Sequence, residues 1–298
     1  MDLWGIDLGG TKIEGAVVDS DDPRTVRCRL RVLTEGQKGY EHILGQIARL
    51  IEQMEGAVGH RRPAAIGFGT PGAVEPDSGL MKNSNTVCLN GRTLRADLSR
   101  TLGAEARLAN DANCFALAEA LFGAARGKRV VFGVILGTGV GGGLVVDGHA
   151  WDGLHGIAGE WGHNPMRGES TPCYCGHVGC NEGVFSGPAL EKFYADRAGT
   201  PLKLPEIAAR AQTGDAAAQE TLSRLKTKLG EALAVLINIV DPEAIVFGGG
   251  VGNLDLIYSD EMRAAVLAHL FNQELKTAFL RPTLGDSAGV FGAALLAR

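Results

Sequence analysis

Three glycine-rich turns have the residue types that bind phosphate. They are spaced along the 298-residue chain at Asp7-Leu8-Gly9-Gly10-Thr11-Lys12, Gly137-Thr138-Gly139 and Gly248-Gly249-Gly250. Glycine leaves the backbone N–H groups of a turn unshielded, and converging N–H groups bind phosphate oxygens. The sequence has neither G-x-x-x-x-G-K-[ST] nor a G-x-G-x-x-G that opens a helix, and we expect each turn to lead into another strand. Together the turns predict a phosphate site of neither the Walker nor the Rossmann type.

A carboxylate suited to act as a general base lies in the segment Asn110-Asp111-Ala112-Asn113. Phosphoryl transfer to a hydroxyl needs a group that accepts the hydroxyl proton, and an aspartate can accept it. The segment also precedes a helical pattern from Cys114 to Leu121, so Asp111 fits the simpler role of a helix N-cap. Beside a phosphate site, we expect the role of base.

Half of the six cysteines are close together, at Cys173, Cys175 and Cys180, and His163 lies just upstream. Three thiols and one imidazole can form a tetrahedral Zn²⁺ site. Disulfides are the alternative, and a reducing compartment disfavours them. No water-activating base is evident at the cluster, so we expect the metal to be structural. His177 is the less favoured ligand.

Composition and charge favour a folded protein that binds small ligands. The chain is 45% hydrophobic and 21% charged, and its net charge of -5 includes no long basic block that would attract nucleic acid or an anionic membrane. The N-terminus lacks the pattern of a signal peptide, and no apolar run reaches the roughly 18 to 20 residues that span a bilayer. We therefore expect a cytoplasmic protein without nucleic-acid or membrane partners.

Hydrophobic periodicity predicts strands and helices that position these residues. The segment from Leu3 to Asp19 reads as two strands around a glycine turn, and Val130 to Gly148 repeats this pattern. Helical spacing covers Glu41 to Met54 and Asp215 to Val240, and a buried strand follows at Ala244 to Phe247. The repeated strand-turn-strand unit predicts a duplicated α/β fold.

The boundary between the two expected domains is placed just before Asn110. Residues 1–109 would form an N-terminal α/β domain, and residues 110–286 a C-terminal α/β domain that carries the cysteine loop. The small apolar residues of 287–298 have helical spacing and are expected to pack back on the first domain.

The three glycine turns resemble the nucleotide-binding segments of the actin, hexokinase and Hsp70 superfamily, and the whole chain resembles ROK-family sugar kinases most closely. The resemblance implies a ribonuclease H-like two-domain fold with ATP and sugar in the interdomain cleft. It implies that Asp7 positions Mg²⁺ through water and that Gly248 to Gly250 lies against adenosine. Lys12 fits a phosphate contact and a surface lysine equally well. The implied phosphate contacts are Gly9, Gly10, Thr11, Gly137, Thr138 and Gly139.

Further motifs extend the resemblance to a sugar site and a zinc site. LANDANCFALAEA is similar to the ROK segment that carries the catalytic aspartate, here Asp111, with Asn110 as a neighbouring sugar ligand. GEWGH resembles the family's G-E-x-G-H motif, and C-x-C-G-x-x-G-C-x-E resembles its zinc motif. The implied sugar ligands are Glu160, His163 and Glu182, and the implied ligands of structural Zn²⁺ are His163, Cys173, Cys175 and Cys180.

The first half of the chain also offers candidate sugar contacts. Gly69-Thr70-Pro71-Gly72 is similar to the ROK loop whose backbone lies near the sugar, which makes Gly72 a candidate. Asn85 and Asn90 are turn residues by default, but their amides are suited to bind hydroxyls from this side.

The sugar itself is predicted from three segments: KNSNTVCLNG, GEWGHNP and PCYCGHVGC. They look most like those of bacterial fructokinases and mannokinases, so fructose or mannose is the expected substrate. Glucose and N-acetylhexosamine kinases share the catalytic motifs and remain the alternative. The resemblance also suggests a homodimer.

Two functions of other classes stay open. A sugar-responsive ROK-type regulator would need an added helix-turn-helix segment, and the hairpin that begins at Leu3 leaves no room before it. An actin- or Hsp70-like ATPase is disfavoured by the sugar and cysteine motifs.

Overall fold

The computed structural model describes residues 2–298. Within these residues, the first half of the chain contains seven strands and three α-helices: β1 (Asp2–Leu8), β2 (Lys12–Asp19), β3 (Val26–Leu33), α1 (Tyr40–Val58), β4 (Ala65–Thr70), β5 (Ala73–Val74), β6 (Met81–Lys82), α2 (Leu94–Leu102), β7 (Glu105–Asn110) and α3 (Asp111–Leu121). Five of these strands form one sheet in the order β3-β2-β1-β4-β7, and β5 pairs with β6.

The second half contains β8 (Val130–Leu136), β9 (Val140–Val146), β10 (His149–Ala150), α4 (Glu182–Phe185), α5 (Gly187–Ala198), α6 (Leu204–Gln212), α7 (Ala216–Val240), β11 (Ala244–Gly248), α8 (Gly249–Gly252), α9 (Asp260–Leu267), β12 (Ala278–Leu280) and α10 (Ala288–Leu295). Its sheet has the order β10-β9-β8-β11-β12. If the five strands of each sheet are numbered by their order in the chain, both sheets have the spatial order 3-2-1-4-5. This shared order confirms the predicted duplication.

The first sheet brings several candidate residues to one edge. The predicted hairpin is present, since β1 and β2 are antiparallel around the first glycine turn with Asp7 opposite Glu14. Strands β4 and β7 run parallel to β1, with Thr70 beside Asn110. Because the carboxyl ends of parallel strands meet at one edge, Asp7, Thr70 and Asn110 lie at the same end of the sheet.

The two long predicted helices are confirmed. In α1 the apolar face is buried as its spacing requires, at Ile43, Ile47, Leu50, Ile51 and Met54. Helix α7 begins after Asp215, whose side chain accepts a hydrogen bond from the Ala218 N–H at 3.0 Å. It ends at Asp241, which has a left-handed φ of 48°.

Helix α10 packs against the first sheet and α3 through glycine. A Cβ atom on Gly67 of β4 would lie 1.7 Å from the Ala293 carbonyl oxygen, and one on Gly292 would lie 1.8 Å from the Cys114 carbonyl oxygen. Side chains at these positions would therefore force the helix away. Only glycine permits this backbone contact.

Contacts divide the chain into two units. The first unit comprises the residues up to Gly127, Gly143–Ala158 and Thr283–Arg298, and the second comprises Lys128–Gly142 and Gly159–Pro282. The division differs from the boundary expected before Asn110, because α3 packs on α10 inside the first unit. Within the described residues, no helix is both long and apolar enough to span a membrane.

Candidate functional site

The first unit places two carboxylates close enough to repel each other. Asp7 is half-buried at the end of β1, and a Cβ on Gly289 of α10 would lie 3.4 Å from its Oδ2. Burial raises the pKa of Asp7 to about 6, and the charges of Asp111 and Glu14 add to this while Lys12 opposes it. Oxygen ligands that repel one another are suited to a hard divalent cation such as Mg²⁺.

Asp111 is the first residue of α3, and the N-cap is its neighbour. The Asn110 side chain accepts the Ala112 N–H at 2.7 Å, so Asn110 performs the capping role considered for Asp111. Asp111 Oδ1 lies 2.8 Å from the same N–H. Its side chain is accessible to solvent, yet protein atoms crowd the carboxyl, and this desolvation raises its pKa. A carboxylate with a raised pKa is a stronger base.

The first glycine turn is held from its carbonyl side. The Thr34 hydroxyl donates to the Gly9 carbonyl at 2.6 Å, and the Thr34 N–H donates to the Thr11 carbonyl at 3.0 Å. Gly10, Thr11 and Lys12 are exposed. Lys12 Nζ lies 3.8 Å from Glu14, whose carboxylate also accepts hydrogen bonds from Arg29 and Arg31. Lys12 therefore belongs to an ion-pair network beside the turn.

The second and third glycine turns meet within the second unit. Gly249 has φ of 81°, and a Cβ there would lie 3.0 Å from the Gly137 nitrogen. Glu182 Oε2 accepts the Val140 N–H at 3.0 Å, which fixes this carboxylate against the Gly137-Thr138-Gly139 turn. The expectation that every glycine turn leads into a strand is wrong for the third one, because helix α8 begins at Gly249.

Glu160, His163 and Glu182 lie near Tyr174, a largely exposed residue that the sequence analysis did not single out. Tyr174 Oη lies 3.1 Å from His163 Nε2, and its ring meets the imidazole edge to face. Desolvation and the charges of Glu182 and Glu160 raise the pKa of Tyr174 to about 12. The only sequence signal for Tyr174 was its position between two metal-ligand candidates.

The cysteine cluster fits a tetrahedral metal ion. The ligand atoms of His163, Cys173, Cys175 and Cys180 all lie within 4.8 Å of one another. His163 Nδ1 is 3.6 Å from Cys173 Sγ, and Cys175 Sγ is 3.6 Å from Cys180 Sγ. A Zn–S bond of about 2.3 Å gives tetrahedral edges of about 3.7 Å. All six cysteines are free of disulfides.

The candidate sugar contacts from the first half of the chain, Asn90, Asn85 and Gly72, differ from one another in their surroundings. Both ends of the Asn90 amide bond to the Ser84 backbone at 2.9 Å, so Asn90 stabilises its own turn. Asn85 is exposed, and its Oδ1 is 3.5 Å from the Thr86 hydroxyl. Gly72 has φ of 91°, and a Cβ there would lie 2.6 Å from the Lys82 carbonyl oxygen, so the loop requires glycine.

Comparison with known proteins places the chain among homologues of similar length. The ROK family matches residues 3–298. The N-acetyl-D-glucosamine kinase of Photobacterium profundum is 36% identical over 303 residues, covering 98% of each chain. The N-acetylgalactosamine kinase AgaK of Shewanella sp. is 36% identical over 301 residues, covering 98% of this chain and 96% of AgaK.

A solved structure agrees with these sequence matches. The ROK family glucokinase from Streptomyces griseus, in complex with glucose and AMPPNP, superposes with a TM-score of 0.80. It is 29% identical, and the match covers 100% of this chain and 99% of that one. The predicted actin-like, hexokinase-like fold class is thereby confirmed. On sequence and on fold, the chain belongs to the ROK family.

Proposed function

We propose that this ROK-family sugar kinase transfers the γ-phosphoryl group of ATP to a hydroxyl of an N-acetylated hexosamine, with Asp111 as the general base. The main support is the arrangement of Asn110, Asp111 and Asp7. Asn110 caps α3, which leaves the Asp111 carboxyl free of that role, and Asp111 lies close enough to Asp7 for the two carboxylates to repel each other. A base and a second carboxylate suited to Mg²⁺ are the groups that phosphoryl transfer to a hydroxyl needs. AMPPNP, bound by the Streptomyces relative, is an ATP analogue, which supports ATP as the donor.

The relatives support the alternative substrate better than the expected one. The sequence motifs pointed to fructose or mannose, whereas the relatives at 36% identity are named for N-acetylglucosamine and N-acetylgalactosamine. We therefore assign an N-acetylhexosamine as the substrate class and glucose as the weaker competitor. Hydrogen-bonding sites discriminate strongly between sugars that differ in one polar substituent, because a missing partner leaves a buried group unpaired.

The proposed reaction assigns a role to each group of residues. The sugar oxygen attacks the γ-phosphorus, the bond to the β-phosphate oxygen breaks, ADP leaves, and the hydroxyl proton passes to Asp111. Mg²⁺, when bound, neutralises charge on the phosphates, and Asp7 would hold it through water. The glycine turns at residues 9–11 and 137–139 bind phosphate, and residues 248–250 contact adenosine. Glu160, His163 and Glu182 bind sugar hydroxyls. His163, Cys173, Cys175 and Cys180 would hold structural Zn²⁺, which would order the segment between Glu160 and Glu182.

The test is a coupled ADP-release assay with Mg-ATP and a panel of N-acetylglucosamine, N-acetylgalactosamine, N-acetylmannosamine, glucose, fructose and mannose, with a control lacking sugar. We expect kcat/KM to be highest for an N-acetylated sugar. Asp111→Asn should lower kcat by about 10² to 10⁴ and leave ATP binding largely intact, because it removes only the base.

Three results would contradict the proposal. Preference for fructose or mannose would restore the first substrate prediction. ATP hydrolysis without dependence on sugar would favour an ATPase scaffold. Near-normal turnover by Asp111→Asn would remove Asp111 from the mechanism.

A further inference from the structure

A pocket of about 290 Å³ lies within the first unit, at the carboxyl end of β7. Its lining includes the apolar residues Val74, Pro76 and Leu108 and the polar residues Arg95, Asn113 and Asp152. Asn110 also lines it and directly precedes Asp111, so the pocket begins one residue from the proposed base. A substituent of a sugar held at Asp111 could therefore reach it.

Asn113, one of the residues that line this pocket, carries an unpaired hydrogen-bond acceptor. Only 5% of the residue is exposed, and its Nδ2 donates to Asp152 Oδ1 at 3.1 Å. A carboxylate accepts hydrogen bonds, so this contact fixes which end of the amide carries the N–H₂ group. Oδ1 is buried without a hydrogen-bond partner among the described residues. Leaving such an oxygen unpaired costs about 1 to 3 kcal/mol, which a ligand with an N–H or O–H would recover.

The lining of the pocket thus includes a residue with an unpaired buried acceptor and several apolar side chains. An acetamido group presents an N–H donor and a methyl group within a few bonds of each other, which matches both features. At roughly 30 Å³ for each small heavy-atom group, its four non-hydrogen atoms fill about 120 Å³ of the 290 Å³. Space remains for a longer acyl chain.

We propose that this pocket receives the acyl-amino substituent of the substrate, with Asn113 Oδ1 accepting its N–H and the acyl chain lying against Val74 and Leu108. The inference rests on the proposed function and names the residue that sets its substrate class. Asn113 is then a specificity residue, one not included in the sugar ligands inferred from the sequence. An unacylated amino sugar also carries a hydrogen-bond donor, but its ammonium group has no apolar part that could pack against Val74 and Leu108.

The first test measures selectivity as the ratio of kcat/KM for the preferred N-acetylhexosamine to kcat/KM for the sugar with a hydroxyl at that position. The unacylated amino sugar is assayed beside them. Asn113→Leu replaces the amide by an apolar group of similar size and should lower the ratio by about tenfold or more, because the acetamido N–H loses its partner. The matched control, Asp152→Asn, keeps an acceptor for Asn113 Nδ2 and should hold the ratio within about threefold.

The second test lengthens the acyl chain of the substrate and changes the size of the pocket at Val74. The natural enzyme should phosphorylate N-propionyl and N-butyryl analogues within about tenfold of the N-acetyl sugar, since the pocket has room for them. Val74→Phe fills part of the pocket and should reject the butyryl analogue first, while affecting the hydroxyl sugar least. This series stays informative if Asn113→Leu fails to fold.

The outcomes separate the inference from the proposed function. A natural enzyme that favours fructose, mannose or glucose over every N-acetylated sugar contradicts both. A natural enzyme that favours the N-acetylated sugar while Asn113→Leu lowers both kcat/KM values equally leaves the function standing and overturns the pocket assignment. Rejection of the butyryl analogue by the natural enzyme, or equal acceptance of it by Val74→Phe, also overturns that assignment.

Discussion

At the scale of single residues, the strongest feature is the pair of acids Asp7 and Asp111. Desolvation by surrounding protein atoms raises the pKa of each, and the charges of Asp111 and Glu14 raise the pKa of Asp7 further. A carboxylate whose folded-state pKa exceeds its unfolded value stabilises the fold below the unfolded pKa and loses this contribution as pH rises through the folded pKa. At neutral pH these acids therefore lower the stability of the protein without ligands, as expected for residues that the proposed function assigns to the reaction.

We predict that Asp7→Asn stabilises the ligand-free protein at neutral pH and does so less as pH falls. Between the ordinary value of 3.8 and the folded pKa of about 6, ionisation of Asp7 costs about 2 to 3 kcal/mol. Urea unfolding in Mg²⁺-free buffer at pH 5, 6, 7 and 8 should show the advantage of Asp7→Asn growing with pH. The exposed Asp77→Asn serves as the control. An advantage independent of pH would contradict the electrostatic origin.

Candidate residues could be predicted from the sequence where residue type and spacing indicate a chemical role. They were harder to predict where the role depends on contacts with residues distant in sequence. Asp111 and the cysteine cluster came from residue type and spacing. Asn90 stays a prediction as a ligand contact, and the structure adds that each end of its amide bonds to the Ser84 backbone. Tyr174 and Asn113 were missed, because their partners His163 and Asp152 lie 11 and 39 residues away in sequence.

At the scale of elements, the cysteine loop links a predicted metal site to predicted sugar ligands. His163 faces Cys173 through Nδ1 and Tyr174 through Nε2, so one imidazole is shared by both. An imidazole bound on both sides has a fixed orientation. Order in the metal site should therefore be transmitted to the residues around Tyr174.

We predict that Cys175→Ser weakens zinc binding and raises KM for the sugar by about tenfold or more, with a smaller effect on KM for ATP. Metal analysis of the purified protein and steady-state kinetics would measure both effects. Cys88→Ser changes a cysteine outside the cluster and should alter neither. Unchanged sugar kinetics in a Cys175→Ser protein shown to be free of zinc would contradict the link.

Elements with strong periodicity were predicted well, although α1 extends four residues beyond its predicted end at Met54. The α1 and α7 patterns gave the right helices, because each has an apolar face at regular spacing. The short helix α8 was not anticipated, since three glycines have no helical preference and the turn depends on packing against Gly137.

At the scale of the whole molecule, each unit is assembled from separate pieces of chain. The return of residues 287–298 was expected, but the first unit also includes α3 and Gly143–Ala158, so it extends beyond the boundary expected before Asn110. Glu119 of α3 is buried and accepts N–H groups from Ala124 at 2.8 Å, Thr283 at 3.1 Å and Leu284 at 2.9 Å. One carboxylate thus fastens the last segment to the first unit.

The homodimer and the cytoplasmic location stay predictions.

We predict that Glu119→Ala lowers the free energy of unfolding by about 3 to 5 kcal/mol, because it removes a buried carboxylate that accepts hydrogen bonds from three backbone N–H groups. Chemical denaturation followed by circular dichroism would measure it. Glu105→Ala removes an exposed ion pair with Arg107 and should cost less than about 1 kcal/mol. Equal losses from the two variants would show that Glu119 does not hold the segment.

The return of α10 also fixes an order of events during synthesis. Residues 283–298 leave the ribosome after every residue of the second unit, yet the first unit includes them. While the later part of the chain is made, the surface of the sheet β3-β2-β1-β4-β7 at Gly5 and Gly67 is not yet covered by α10. The unit that begins first is completed last, and nascent chains stalled before Thr283 would be the natural targets of chaperones.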